Sequence, residues 1–337
     1  MDTIVPKPPD APSGEVLVHA STDAAVRSEI RLAVTVPTFK RPRQVLDTLR
    51  SVAVQDAPVP FAVVVVENDA EVREGAAAAA AFFAARSVPS VTIVAKRRGN
   101  CAAYNAGWRT ALERYPNLDW ILVIDDDEVA RPLWISNMLS TAQETGADFV
   151  GAPQVPVFDD PVAARAGEHP VFRTPYGETG PVPVLYSSGN VLIRADLLRA
   201  SGPEWLDEWF NFLGGGDSDF YARSRAKGAT FAWCTQGALD ETTPSRRGEF
   251  SWLNARALRN GSISAAIERR AAKGAGDHVK RVAKTFALLI ASGPRALLLA
   301  VKLRSARAGL VHPYVALGRL LMECGFANEQ YRAADRN

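Results

Sequence analysis

Cysteine is scarce. The 337-residue chain has three, Cys101, Cys234 and Cys324, odd in number, widely spaced and outside any CxxC or Cys/His pattern. That argues against a disulfide framework and a zinc site, and it fits a reducing, cytoplasmic setting. No GxGxxG or GxxxxGK(S/T) follows any apolar run, so the phosphate cradles of dinucleotide-binding and P-loop proteins are missing. No uninterrupted apolar stretch reaches the roughly 18 residues expected of a spanning helix. The N-terminus, with Asp2, Lys7 and prolines at 6, 8, 9 and 12, lacks the charged start and apolar stretch of a secretory signal, and residues 1–29 read as a flexible arm. What remains is ordinary for a globular protein with one large or two modest cores: 47% hydrophobic and 23% charged residues. The net charge of +2 hides an asymmetry. Acids gather between Asp119 and Glu128, whereas Arg269 to Arg307 carries ten Lys/Arg against one Asp.

Along the chain β and α patterns alternate. Residues 32–36, 61–66, 91–95 and 120–124 are strand-like, with helical segments at 42–54, 75–86 and 100–115 between them. This is a βαβ alternation, predicting an α/β fold with a mostly parallel sheet and helices on both faces. A helix at 133–145, strands at 149–152, 189–194 and 230–233, and a helix at 217–227 continue the pattern. Residues 153–183 read as an irregular Pro/Gly-rich excursion, and from Ser251 the pattern is helical.

The apolar run Ile121–Ile124 ends in Asp125, Asp126, Asp127 and Glu128. Carboxylates this close repel, so their retention at a strand tip points to a cation, and an oxygen-only set favours Mg²⁺ or Mn²⁺. A solvated acidic turn is the alternative. Two further strand tips carry chemistry: Pro37, Thr38, Phe39, Lys40 and Arg41 after the first strand, and Glu67, Asn68 and Asp69 after the second. A ring of C-terminal strand tips is where open α/β sheets bind ligands. Lys40 and Arg41 suit phosphate, and residues 67–69 suit a base edge. The basic run Lys96, Arg97, Arg98 before a helix N-terminus also favours an anion.

The segments TVPTFKRP, VVENDA, RGNCAAYNAGW, IDDDE and FLGGGDSDFYARSRAKG, in this order between Arg31 and Trp252, resemble glycosyltransferase family 2, and within it the bacterial exopolysaccharide transferases of the succinoglycan type. The resemblance implies an inverting enzyme of GT-A, Rossmann-like fold taking a nucleotide-diphosphate sugar, commonly UDP-linked, in cell-surface polysaccharide synthesis. It implies a nucleotide-sugar half at 30–128, an acceptor half at 129–255 and a helical extension at 256–337. Pro37, Thr38, Phe39, Glu67 and Asn68 or Asp69 would lie near base and ribose, Arg98 and Asn105 near the donor, with Asp125 and Asp126 beside them. The D-x-D motif falls on Asp125 and Asp127, the first nearer ribose or a metal-bound water and the second the direct metal ligand. Many processive relatives carry QxxRW; its absence favours transfer of a single sugar.

Direct displacement needs a base opposite the leaving group. Asp217 is the candidate and Asp219 the second choice, because Gly216 stands where the family usually has an acid before this aspartate. Asp217 could also cap its helix, which does not exclude catalysis. Arg246 and Arg247 follow the last strand and suit a diphosphate, or are simply solvated. Trp205, Trp209, Gly215 and Gly216 suit an acceptor glycan or polyprenyl-diphosphate-linked sugar, although aromatics are more often core. Around Gly293, Pro294 and Arg295 the sequence predicts two short amphipathic helices, either on an anionic membrane at the inner face of the cell membrane or packed as a lid. Nucleic acid is not expected, since no known module accompanies the basic residues. Two other functions stay open: a nucleotidyltransferase, which would need a glycine-rich basic loop that TFKRPRQ lacks, and a non-catalytic nucleotide-sugar-binding assembly protein.

Overall fold

Four consecutive valines, Val63 to Val66, are buried on both faces of a central strand, and this β-branched run sets the architecture. The computed structural model describes residues 16–326. Its strands are β1 (Val16–Ser21), β2 (Leu32–Thr38), β3 (Phe61–Glu67), β4 (Ser90–Ala95), β5 (Trp120–Val123), β6 (Glu128–Ala130), β7 (Phe149–Gly151), β8 (Gln154–Phe158), β9 (Gly180–Val182), β10 (Val191–Arg194), β11 (Phe231–Trp233) and β12 (Leu239–Thr243). Between them lie α1 (Pro42–Ala53), α2 (Glu74–Ala84), α3 (Asn100–Arg114), α4 (Trp134–Thr145), α5 (Pro161–Ala164), α6 (Ala195–Ser201) and α7 (Gly216–Ala226). The chain continues as α8 (Phe250–Ala271), α9 (Ala275–Lys302), α10 (Ala306–Gly309) and α11 (Val311–Glu323).

Nine strands form one sheet in the order β1-β4-β3-β2-β5-β10-β7-β11-β9. β4, β3, β2, β5, β7 and β11 share a direction, with β10 antiparallel between β5 and β7, and β1 and β9 antiparallel edges. The parallel α/β expectation holds for the half that carries the strand tips. Alternate residues serve opposite cores: Ala62, Val64, Ile121 and Val123 face one, and Val63, Val65, Leu122 and Ile124 the other. A second sheet, β6-β12-β8, stands at the tip of β5.

Several expectations are corrected. The arm predicted over 1–29 is structured where it is described: β1 adds to the sheet edge, and buried Asp23 accepts hydrogen bonds from Arg114 (2.5 Å) and Tyr115 (2.7 Å). Residues 1–15 lie outside the described part. The excursion at 153–183 contains β8 and β9, whose pairing with distant strands leaves no local periodicity. The two short C-terminal helices are one, α9, with Pro294 inside it. Pro294 removes a single backbone hydrogen bond and points to the exposed side, so the helix continues through it. By length and composition alone, α9 is also able to cross a membrane, contrary to the expectation from the sequence.

The C-terminal helices share the core of the α/β body, to which Ala265, Ala266 and Met322 contribute, and α8 begins before the boundary expected at 255. α8 and α11 cross backbone to backbone. A β-carbon on Gly261 would stand 2.0 Å from the Val315 carbonyl oxygen, and one on Gly318 1.9 Å from that of Leu258.

Candidate active site at the strand tips

Each carboxylate of the acidic run takes a different set of partners, which is how the fold holds four acids together. Asp126 is buried and accepts from the Thr38 hydroxyl (2.8 Å) and from Arg41 Nη1 (2.9 Å). The same Arg41 nitrogen is 2.9 Å from Asp127 Oδ2. Asp125 accepts from the Tyr104 hydroxyl, and its own N–H donates to Glu128 Oε2 at 2.8 Å. Glu128 is fully buried and takes its other contact from the Gln154 amide. Lys40 adopts a left-handed φ of 57°, at the turn from β2 into α1, just before Arg41.

Burial, and next the charge of Asp127, push the Asp125 carboxyl up to about 7. Burial and then Asp125 raise Glu128 well above the usual carboxylate range. Glu241 on β12 is raised by burial, with Arg247 opposing. It pairs in register with Glu128 on β6, placing two acids opposite each other, and accepts from Arg247 Nη1 at 2.5 Å. Arg247 also lies 3.8 Å from Asp127. A pocket this rich in negative charge and poor in solvent has a standing affinity for cationic charge. In this structure, Arg41 and Arg247 supply it.

Among the described residues no three His, Cys, Asp or Glu side chains form a ready-made metal cage. Asp125 and Asp127 nevertheless fit Mg²⁺ or Mn²⁺, because Mg²⁺ in particular commonly takes one or two protein carboxylates and fills its other positions with phosphate oxygens and water.

Several residues singled out from the sequence have structural duties instead. Asn105 spends its amide on Leu206, donating to its carbonyl (2.8 Å) and accepting from its N–H (3.0 Å), so it is not placed to touch a donor. Asn68 donates to the Arg97 carbonyl (2.7 Å) and accepts from Gly99 N–H (2.8 Å), stapling the basic loop to β3 rather than reading a base. Glu67 is fully buried and accepts from Asp69 N–H (2.9 Å) and Ala76 N–H (3.2 Å), serving the start of α2. Asp69 is buried and accepts from Glu71 N–H at 3.1 Å. Trp205 is core: it is buried against Trp108 and donates to the Leu198 carbonyl at 2.9 Å. Trp209 is half-buried with the Arg270 guanidinium 5.4 Å from its ring. Gly215 (φ 91°) and Gly216 are small for packing reasons, since β-carbons there would stand 2.4 Å from Ile263 and 2.5 Å from Cys101 Sγ. The space a side chain would take at either position is filled by protein.

Phe39 is half-buried, with Lys40 and Arg98 5.1 and 5.0 Å from its ring, beside Pro37 at the tip of β2. Arg247 reaches the acids, whereas Arg246 is exposed and makes no ion pair with them among the described residues. Asp217 lies in the first turn of α7, whose N-cap is Gly215, and accepts from Ser218 N–H at 2.7 Å. Burial raises its carboxyl, which strengthens it as a proton acceptor, against opposing contacts from Ser218 and Arg259. Asp219 is buried and paired with Arg223 at 2.7 Å and with Arg270 at 3.9 Å.

The family model described as Glycosyl transferase family 2 matches residues 33–201, half of the chain. The chain belongs to glycosyltransferase family 2. It is 27% identical over 241 residues to the succinoglycan biosynthesis protein ExoM of Rhizobium meliloti (strain 1021), across 69% of this chain and 73% of that protein. It is 25% identical over 261 residues to the chondroitin synthase of Pasteurella multocida (strain Pm70), across 66% of this chain but only 26% of that one. A mannosyltransferase from Pyrobaculum calidifontis, solved in complex with GDP-Man and Mn²⁺, superposes with a TM-score of 0.56 at 17% identity and 87% coverage of both chains. The fold is GT-A. Within this family 2 fold, Tyr104, Glu128, Gln154 and Glu241 belong to the site although the sequence alone does not assign them to it. Glu128 and Tyr104 lie inside the IDDDE and RGNCAAYNAGW motifs, but Glu241 joins the site only through the β6–β12 pairing, which local pattern does not show.

Proposed function

We propose that this glycosyltransferase moves one sugar from a nucleotide-diphosphate sugar, UDP-linked by family custom, to a glycan or polyprenyl-diphosphate-linked oligosaccharide. The setting is cell-surface polysaccharide synthesis at the cytoplasmic face of a membrane. The similarity to ExoM supports the polysaccharide setting, and the GDP-Man and Mn²⁺ in the Pyrobaculum structure support a nucleotide-sugar donor and a divalent ion. The observation that carries the reading is the convergence of Asp125, Asp126 and Asp127 with Arg41 and Arg247 at the strand tips.

In this mechanism Asp127, with Asp125, would hold Mn²⁺ or Mg²⁺, which would supply Lewis-acid stabilisation of charge on the leaving diphosphate. Arg41 and Arg247 exchange their carboxylates for diphosphate oxygens, which their forked donors match. Phe39, Lys40 and Arg98 flank the nucleotide. Asp217 takes the proton of the acceptor hydroxyl as that oxygen attacks the anomeric carbon from the face opposite the diphosphate, inverting the configuration. Asp219 serves to position α7 against α8 through Arg270. The test is nucleoside-diphosphate release across a panel of nucleotide-sugars with Mn²⁺, with and without acceptor. Release that needs donor, metal and acceptor together supports the reading; no release with any donor, or full activity in Asp127→Ala, defeats it.

A further inference from the structure

Helix α9 has three faces, set by the 100° between successive positions. One is packed, with Thr285 and Ser292 buried and Arg281 paired to Glu323 of α11 at 2.6 Å. A second is apolar and faces solvent: Val279, Phe286, Ile290, Leu297, Leu298 and Val301 are each more than half exposed. Between these two faces runs a basic row, Lys280, Lys284, Arg295 and Lys302, on one flank of the apolar stripe. The only acid of the helix is Asp277, in its first turn. From Val279 to Val301 the stripe is about 33 Å long at 1.5 Å per residue. So long an uncovered apolar stripe on a soluble surface marks an interaction site.

We propose that this face of α9 docks in the plane of an anionic lipid bilayer. The apolar stripe enters the acyl boundary, and Lys280, Arg295 and Lys302 meet headgroup phosphates. The inference rests on the membrane location given under the proposed function and names the surface that makes the contact. Charge decides the occupant: a second copy would bring another basic row against this one, whereas anionic lipid neutralises it. Packing decides the orientation, because a spanning α9 would have to break the Arg281–Glu323 pair and the Lys284–Glu268 pair (2.7 Å). The basic end also adjoins the active-site loop. The Arg307 guanidinium lies 5.8 Å from the ring of Phe250, which opens α8 three residues after Arg247. Docking on α9 therefore brings the loop that carries Arg247 towards the bilayer.

The test is co-sedimentation of the full chain with phosphatidylcholine vesicles, with and without phosphatidylglycerol, at low and high salt. Binding to the anionic vesicles is expected to be at least about ten-fold tighter, given about 1 kcal/mol per basic residue near such a surface, and to weaken with salt. Ile290→Asp with Leu297→Asp should lower it by at least about ten-fold. Lys280→Gln, Arg295→Gln and Lys302→Gln together should abolish the preference for anionic lipid. All these side chains are exposed, so unchanged melting curves confirm that the variants fold. Equal or absent binding to both vesicle types overturns the proposal. So does a concentration-dependent dimer that Ile290→Asp dissociates without any vesicle binding. The assay needs no donor: a chain that binds vesicles but transfers no sugar leaves this inference standing and defeats the proposed function alone.

Discussion

Arg41 Nη1 stands 2.9 Å from Asp126 Oδ1 and 2.9 Å from Asp127 Oδ2, so one guanidinium bridges the two carboxylates of the strand tip. Without it Asp126 is a buried acid held only by the Thr38 hydroxyl and a long contact from Phe39 N–H. Arg41→Ala should therefore destabilise the metal-free protein by about 2–3 kcal/mol, at the low end for a broken buried pair because Arg41 keeps some solvent contact. Millimolar Mn²⁺ should restore part of the loss, since a ligand that binds only the folded state stabilises it by mass action. Thermal melts with and without Mn²⁺ measure both effects; equal losses in the two conditions would separate the arginine from the metal.

Asp127→Asn should leave the melting temperature within a few degrees of the parent and lower kcat by roughly 10²–10³, the scale of losing a principal source of transition-state charge stabilisation. Mn²⁺ titration by calorimetry should show weakened binding in parallel. Normal Mn²⁺ affinity in the variant would move the metal away from this residue.

In the proposed mechanism Asp217 contributes one acid limb of the pH profile. Its carboxyl is raised by burial, so activity should fall as pH drops through that raised value and the base becomes protonated. Asp217→Asn should lose roughly 10²–10⁴ in kcat and flatten this limb, with little change in donor KM. Asp219→Asn should instead lower the melting temperature, because it removes the buried carboxylate that pairs with Arg223 at 2.7 Å and faces Arg270 at 3.9 Å. A kcat that survives in Asp217→Asn would pass the role to another group.

Asp23 predicts an acid-stability effect far from the chemistry. Burial works against its charge, but hydrogen bonds from Arg114 and Tyr115 win, and the carboxyl ends below its ordinary value. A depressed folded-state value means stability that is present above the unfolded value of about 4 and is lost as pH falls through the folded one. Asp23→Asn should cost about 3 kcal/mol at pH 7 and nothing further in acid, read from urea midpoints at pH 7 and pH 3.

Asn105→Leu tests a duty assigned by structure over motif. It leaves the Leu206 N–H and carbonyl without their partner and should cost about 2–3 kcal/mol. Donor KM of the folded fraction should be unchanged. A KM rise without loss of stability would return Asn105 to the donor site.

What the sequence made legible follows from locality. The runs at 32–38, 61–67, 90–95 and 120–123 report their own burial, so the parallel half of the sheet and its tips could be read directly, and with them the acidic run and Arg41. The second sheet could not. β6, β8 and β12 are three to five residues long and join segments more than eighty residues apart, so Glu241 entered the site unseen. Side-chain economy was equally hidden. Asn68, Asn105 and Glu67 sit in the right motifs at the right strand ends, yet their polar atoms are taken by backbone groups whose positions depend on tertiary packing. Trp205 met the ordinary fate of a large aromatic and became core.

The glycine contact between α8 and α11 bears on how this protein tolerates change. With less than a methyl group of room at Gly261 and Gly318, the two helices have a single permitted seating. α8 reaches from Phe250, beside the Arg247 loop, past Ile263, which fills the space next to Gly215 under the proposed base, to Arg270 on Asp207. A bulkier residue at either glycine would act as a wedge that displaces the whole strut, so enzymatic failure could begin at a tail helix bearing none of the reacting groups.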